Sequence, residues 1–144
     1  MGYLDSLNIT GSALTAERFR TDIILQNLAN QNTTRTEEGG PYRRRQVVLR
    51  ERPLDFKSEL SQAYTKVQNG GVYVEEVVES QNDLVPVYDP EHPDANEEGY
   101  VMMPNVNNAE EMVDLMAATR AYEANVTALN VAKAMAMKAL EIGK

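Results

Sequence analysis

Apolar residues recur at helical spacing over the first thirty residues of the chain. They fall near two sides of one helix: Leu7, Leu14, Leu25 and Leu28 on the first, and Ala16, Phe19 and Ile23 on the second. Gly11 weakens the first turns by about 1 kcal/mol relative to alanine, so we expect the helix to begin near Ser12. The run from Asn30 to Thr34 contains short polar side chains that compete for backbone hydrogen bonds. The pattern therefore predicts that the helix ends there.

The last third of the chain predicts a longer helix. Asn108 and Glu111 have the spacing of a capping box, and Gly143 follows the last periodic position. The stripe between them is heptad-like, with Met112, Thr119, Val126, Lys133 and Leu140 in one position and Leu115, Tyr122, Leu129 and Ala136 in the other. At 1.5 Å per residue this helix is about 50 Å long, too long for a small compact domain. We therefore expect both helices to be ordered only when neighbouring subunits cover their apolar sides.

The middle of the chain has a different pattern. Four short runs have strand-like composition and lie between turn residues: Arg45 to Arg50, Val72 to Val78, Leu84 to Tyr88, and Tyr100 to Met103. The stretch from Asp89 to Gly99 contains two prolines and predicts a loop. The expected fold is mainly α, with long terminal helices in a coiled-coil-like bundle and a small β-rich centre. The predicted division is an N-terminal helix (1–32), a central β-rich segment with an extended loop (33–108) and a C-terminal helix (109–144).

The amino-acid composition excludes several classes of function. The 144 residues are 42% hydrophobic and 25% charged, which is typical of a globular chain, and cysteine is absent, which excludes disulfides and thiolate chemistry. The net charge of −8 argues against nucleic acid as a partner. No apolar run is long enough to span a bilayer, and the first residues lack the pattern of a cleavable secretory signal. If the protein leaves the cytoplasm, we expect another export route.

The charges are unevenly distributed. Residues 33–66 hold eight Lys and Arg against five acids, whereas residues 67–119 hold twelve acids and no Lys or Arg. This polarity suits head-to-tail docking between subunits, with Arg43, Arg44 and Arg45 as the electrostatic docking residues. The alternative is that both stretches are solvated surface.

The loop with the only histidine is a candidate chemical site. It places His92 among five carboxylates, but one imidazole without a thiol is a poor zinc site, and prolines occupy the middle where a calcium loop needs glycine. A paired-carboxylate hydrolase needs a substrate cleft that nothing else in the sequence indicates. We interpret the loop as a proline-stiffened surface segment, and we expect no enzyme activity, catalytic residue, metal or cofactor.

Three motifs resemble those of flagellar basal-body rod proteins. Residues 25–34 (LQNLANQNTT) look like the Asn-Ile-Ala-Asn-x-x-Thr signature of flagellar rod and hook proteins, with Leu28 in place of isoleucine. Residues 87–101 with Pro104-Asn105-Val106-Asn107 are similar to a segment of proximal rod proteins, and residues 120–125 (RAYEAN) match the C-terminal helix motif of the wider family. The resemblance covers nearly the whole chain.

The resemblance implies a structural subunit of the periplasmic rod, exported by the flagellar type III apparatus without a cleaved signal. Implied partners are copies of the chain, other rod subunits, and the export gate and membrane-ring base, with no nucleic acid and no small-molecule substrate. The predicted assembly interface consists of Leu14, Ile23, Leu28, Asn30, Met112, Leu115, Tyr122, Val126, Leu129 and Leu140. An alternative reading is a coiled-coil adaptor that binds one defined partner.

Overall fold

A computed structural model describes residues 3–37, 39–52 and 70–142. In chain order the elements are helix α1 (Tyr3–Ala29), strands β1 (Arg45–Glu51), β2 (Val72–Glu79), β3 (Val85–Tyr88) and β4 (Tyr100–Met103), and helix α2 (Asn108–Ile142). The mainly α fold with a small β centre is confirmed. The predicted helix end at Gly143 lies outside the described residues.

Helix α1 begins at Tyr3, so the expected start near Ser12 was wrong. Tertiary contacts outweigh the cost of Gly11, because the Ser12 hydroxyl donates to the carbonyl of Ile9 (2.7 Å) and accepts the backbone N–H of Val72 (3.1 Å). Gly71 permits this approach, since a Cβ there would lie 2.1 Å from Ser12 Oγ. Helix α1 ends at Ala29, as the polar run after it predicted.

The four strands form two separate two-stranded sheets, β1 with β2 and β3 with β4. In the second sheet the strands are antiparallel, with Val85 opposite Met103, Val87 opposite Val101, and Tyr88 opposite Tyr100. The loop between β3 and β4 closes with a backbone hydrogen bond from Asp89 N–H to the carbonyl of Gly99 (2.9 Å).

Helix α2 starts differently from the prediction. The side chain of Asn107, one residue earlier than expected, accepts the N–H of Ala109 (3.0 Å), and the Asn107 carbonyl accepts the N–H of Glu111 (3.0 Å). The expected capping box is therefore wrong. Glu111 is fully buried and its carboxylate bonds to side chains from other elements, so it is not available to cap the helix.

The described residues divide into two compact units. The first contains residues 3–19, 48–52, 70–76 and 118–142, and its most buried apolar residues are Ala16 and Ala118. The second contains residues 20–37, 39–47 and 77–117. Its core combines apolar and polar side chains: Ile23, Ile24, Asn27, Tyr42, Val101 and Glu111. Within the described residues, neither helix is long and apolar enough to cross a membrane.

Candidate assembly surfaces and a buried polar cluster

A buried polar cluster lies in the second unit and is centred on Asn27 and Glu111, which are 1% and 0% exposed. The Asn27 amide nitrogen donates to Glu111 Oε2 (3.0 Å) and to the carbonyl of Arg45 (2.8 Å). Its oxygen accepts the Tyr42 hydroxyl and the Arg45 backbone N–H, each at 2.9 Å. Both donors and both lone pairs of this amide are therefore used.

Arg44 completes the cluster by supplying the positive charge. Its Nε donates to Glu111 Oε1 and its Nη2 to Asp114 Oδ2 (3.0 Å), while its own side chain is 14% exposed. Burial lowers the pKa of Arg44, but the hydrogen bond and charge of Glu111, with the charge of Asp114, raise it overall. Arg44 therefore stays charged and neutralises a buried carboxylate that would otherwise be costly to keep ionised.

The cluster fixes three elements of the second unit to one another. Asn27 comes from the last turns of α1, Tyr42 and Arg44 from the segment entering β1, and Glu111 from the first turn of α2. Breaking a buried pair by removing one partner costs about 3–5 kcal/mol, because the other charge remains buried. Burial also raises the pKa of the Tyr42 hydroxyl, which keeps it a donor to Asn27.

Sequence reasoning did not assign the central residues of this cluster. Asn27 lies in the rod signature, yet only its neighbours Leu28 and Asn30 were predicted as interface residues. A usable signal was present, because Asn27 follows Ile23 and Ile24 on one side of α1, and Glu111 precedes Leu115 by four residues. A polar residue within an apolar stripe indicates a buried hydrogen bond.

The predicted assembly residues differ in exposure. Ile23 is buried; Leu14, Leu28, Asn30, Leu115, Val126 and Leu129 are half-buried; Met112, Tyr122 and Leu140 are exposed. Asn30 also has a local role, because its amide nitrogen donates to the carbonyl of Gln26 (2.9 Å) at the end of α1. Contact of these residues with other subunits stays a prediction.

Helix α2 exposes more apolar surface than its heptad stripe predicted. Besides Met112, Tyr122 and Leu140, six further large apolar side chains are exposed in the isolated chain: Val113, Met116, Val131, Met135, Met137 and Ile142. Exposure rises toward the end of the helix, reaching 74% for Leu140 and 86% for Ile142. Exposed large apolar side chains in such number are typical of surfaces that bind other proteins.

The predicted docking arginines all have partners within the chain. Arg43 donates to the backbone carbonyl of Ser80 (3.3 Å), Arg44 belongs to the buried polar cluster, and Arg45 pairs with Glu79 (3.1 Å). The guanidinium of Arg45 also lies 5.6 Å from the centre of the Tyr42 ring. Electrostatic docking through these residues stays a prediction, and Arg44 has a structural role in addition.

The loop between β3 and β4 is ordered by its own hydrogen bonds. Asp94 accepts the Thr34 hydroxyl (2.8 Å) and pairs with Arg35, and Asn96 Oδ1 accepts the N–H of Tyr100 (2.8 Å). His92 Nδ1 accepts the N–H of Asp94 (3.1 Å). Within residues 3–37, 39–52 and 70–142, no group of three or more His, Asp or Glu residues is arranged to hold a metal ion.

Comparison with known proteins gives the family. A model of the flagellar basal body rod FlgEFG protein C-terminal family matches residues 97–142. The flagellar basal-body rod protein FlgC of Bacillus subtilis is 51% identical over 96% of this chain and 97% of its own length. FlgC of Borreliella burgdorferi is 42% identical over 99% of this chain and 98% of its own, and FlgC of Salmonella typhimurium 40% over the full length of both. The chain belongs to the FlgC family of flagellar basal-body rod proteins.

Proposed function

We propose that this structural rod protein is incorporated into the flagellar basal body through its terminal helices, which join those of other rod subunits and of further copies of the chain. The family is structural, and the protein is not an enzyme. The observation that carries the proposal is the exposed apolar surface of α2, because its side chains have no cover in the described part of the chain. The rod relatives support this function over a coiled-coil adaptor.

In this proposal segments 1–32 and 109–144 supply the assembly contacts. The half-buried Leu115, Val126 and Leu129 share one side of α2, and helices of neighbouring subunits would cover, as in a coiled coil, the part of these side chains that the chain itself leaves exposed. Each fully buried large apolar side chain contributes about 1.5–3 kcal/mol. The exposed alanines of α2 let neighbouring helices approach closely.

The remaining parts of the proposal concern route and location. We place the subunit in the periplasmic part of the rod, above the export gate and the membrane-ring base, and we assign its export to the flagellar type III apparatus. These assignments rest on the family resemblance.

The test is a charge on the apolar side of α2. In cells whose only copy carries Leu129→Asp, we expect the subunit to be made but absent from purified rods, and the cells to be non-motile, because an unpaired carboxylate cannot enter an apolar interface. Asn130→Asp is the matched control, since it adds the same charge at the exposed neighbouring position.

Motility of Leu129→Asp cells would contradict the proposal. Equal failure of both variants would also contradict it, because the apolar side would then have no special role. Circular dichroism of the purified subunits checks that the Leu129→Asp chain is folded.

A further inference from the structure

The β3–β4 hairpin carries an exposed apolar surface apart from the helices. Its register places Pro86 opposite Met102 and Tyr88 opposite Tyr100, so these four side chains share one face. All four are exposed, with Tyr88 at 66%, Met102 at 43% and Tyr100 at 41%. We refer to these four residues as the hairpin face. The described part of the chain covers these side chains only in part.

Tyr88 is exposed but held in place. Its ring meets that of Tyr100 edge to face, with the centroids 5.3 Å apart and an interplanar angle of 67°. Gly99 lies beneath it at φ 80°, and a Cβ there would be 3.0 Å from the Tyr88 ring and 3.2 Å from Cβ of Pro90. Glycine therefore lets the ring rest against the loop backbone. A positioned aromatic side chain loses little rotamer freedom on binding, which is the property of an interface anchor.

The surroundings of the hairpin face are acidic. Asp89 adjoins Tyr88, and Glu97 and Glu98 lie just before Gly99 in the same loop; all three carboxylates are exposed. In the part of the chain that the structure describes, no Lys or Arg lies within ion-pairing distance of these three carboxylates. The sequence from 67 to 119 contains neither Lys nor Arg. An apolar centre with an unneutralised acidic rim calls for a basic partner surface.

We propose that the hairpin face docks onto a different protein of the basal body, at an apolar recess bordered by Lys or Arg side chains. Tyr88 enters the recess, and the carboxylates of Asp89, Glu97 and Glu98 pair with the basic border. A second copy is not the occupant, because its own hairpin face would bring a second acidic rim against the first. Its Arg43, Arg44 and Arg45 are already bonded within their own chain. This inference rests on the proposed function for the location of the partner.

The experiment uses the full chain in cells and a photoreactive side chain. Unmodified protein is first detected in purified basal bodies; its absence there would refute the proposed function and this inference with it. Tyr88 is then replaced by p-benzoylphenylalanine, with Gln81, an exposed polar residue of the same unit, replaced as the matched position. After irradiation, the crosslinked peptides in purified basal bodies are identified by mass spectrometry.

We expect position 88 to crosslink to a different basal-body protein, at a peptide that contains Lys or Arg, and position 81 not to do so. Adding Glu97→Lys and Glu98→Lys should reduce the yield at position 88 at least about tenfold, because the rim then repels the basic border. Three results would overturn the inference: no yield above that of position 81, crosslinking to another copy of this chain, or a yield unchanged by the charge reversal.

A second pair of variants tests the anchor itself. Tyr88→Phe keeps the ring and should leave the occupancy of the subunit in basal bodies within about twofold of the unmodified chain. Tyr88→Ala should lower that occupancy about tenfold, as truncation of an interface anchor does. Equal occupancy for Tyr88→Ala and Tyr88→Phe would show that the ring is not an anchor and would overturn the proposal.

Discussion

The two ends of helix α2 reverse the usual preferences for burial. Glu111, in the first turn, is completely buried, whereas Leu140, near the last turn, is 74% exposed. Glutamate is almost never fully buried unless it is paired, and leucine is among the most often buried residues. Glu111 has its partners within the chain, in Asn27 and Arg44. For Leu140, the described part of the chain supplies no such cover.

At the start of α2, folding of the chain supplies partners for the buried side chain. At the end of α2, folding leaves large apolar side chains exposed. Around Glu111, the buried charge and the hydrogen-bonding groups have partners within the chain, in Asn27 and Arg44, which are far away in sequence. Toward Leu140 and Ile142, apolar area remains in water at a cost that only additional contacts remove. A single helix thus contains a region that holds the second unit together and a region whose apolar side chains the described part of the chain leaves exposed.

The largest expected effect is a gradient of hydrogen exchange along α2 in the purified monomer. Amides of residues 111–118 should be protected nearly to the level of global unfolding, because the buried polar cluster and the buried Ala118 hold these turns. Amides of residues 135–142 should exchange orders of magnitude faster, since an uncovered helix end is marginal in water. Mass spectrometry of exchanged, proteolysed subunit measures both.

Two results would contradict the predicted gradient of hydrogen exchange. Uniform strong protection of α2 in a proven monomer would mean that the helix end is stable without neighbours. Uniform fast exchange would mean that the buried polar cluster does not order the start of α2. The helix would then be ordered only in the assembly, which is what the sequence alone predicts for both terminal helices.

The next largest effect is on subunit stability. Glu111→Ala removes the buried one of the two carboxylate partners of Arg44 and leaves one amide donor of Asn27 unsatisfied, so we expect a loss of about 3–5 kcal/mol in the free energy of unfolding. Glu110→Ala is the matched control, because the preceding glutamate is exposed and should change stability by about 0.5 kcal/mol or less. Urea denaturation of the purified subunits gives both values.

A loss below about 1 kcal/mol for Glu111→Ala would indicate that the cluster is only a surface ion pair. The start of α2 would then be held by apolar packing alone and not by the buried polar cluster. The double variant Arg44→Met, Glu111→Leu sharpens the result. Replacement of both charges by apolar groups should recover part of the lost stability, since the buried charge pair is gone, while the Asn27 amide donor still lacks its acceptor.

The sequence predicted the features that depend on local pattern. Helical spacing gave both helices, the polar run after Ala29 gave the end of α1, and β-branched runs between turn residues gave the strands. These signals are contained in a few neighbouring residues, so one sequence is enough to detect them.

Features that depend on distant partners were not predicted. Asn27 and Glu111 are separated by 84 positions in the chain, and no local pattern states that they meet. For the same reason, Glu111 was interpreted as a cap, and Arg44 as a charge that pairs with acidic residues without a named partner in the chain. The hairpin face was likewise not assigned, because alternation along β3 and β4 shows which residues share a face but not that the face is left uncovered.

The last prediction concerns the loop between β3 and β4, in the second unit. It tests whether a hydrogen bond to a side chain distant in sequence also holds this loop. The Thr34 hydroxyl bonded to Asp94, and after it the charge of Arg35, lower the pKa of this carboxyl from its usual 3.8, while burial opposes them. A folded-state pKa below the unfolded value contributes stability above the unfolded pKa, and this contribution is lost as the pH falls through the folded value. Thr34→Val should raise the Asp94 pKa. The free energy of unfolding should then fall less steeply as the pH decreases below about 4. Carbon-detected NMR titration of the Asp94 carboxyl measures the shift, with Thr36→Val as control, since the Thr36 hydroxyl donates to the carbonyl of Gly40 instead. An unchanged Asp94 pKa in Thr34→Val, or an equal shift in both variants, would show that the loop is not held by this hydrogen bond.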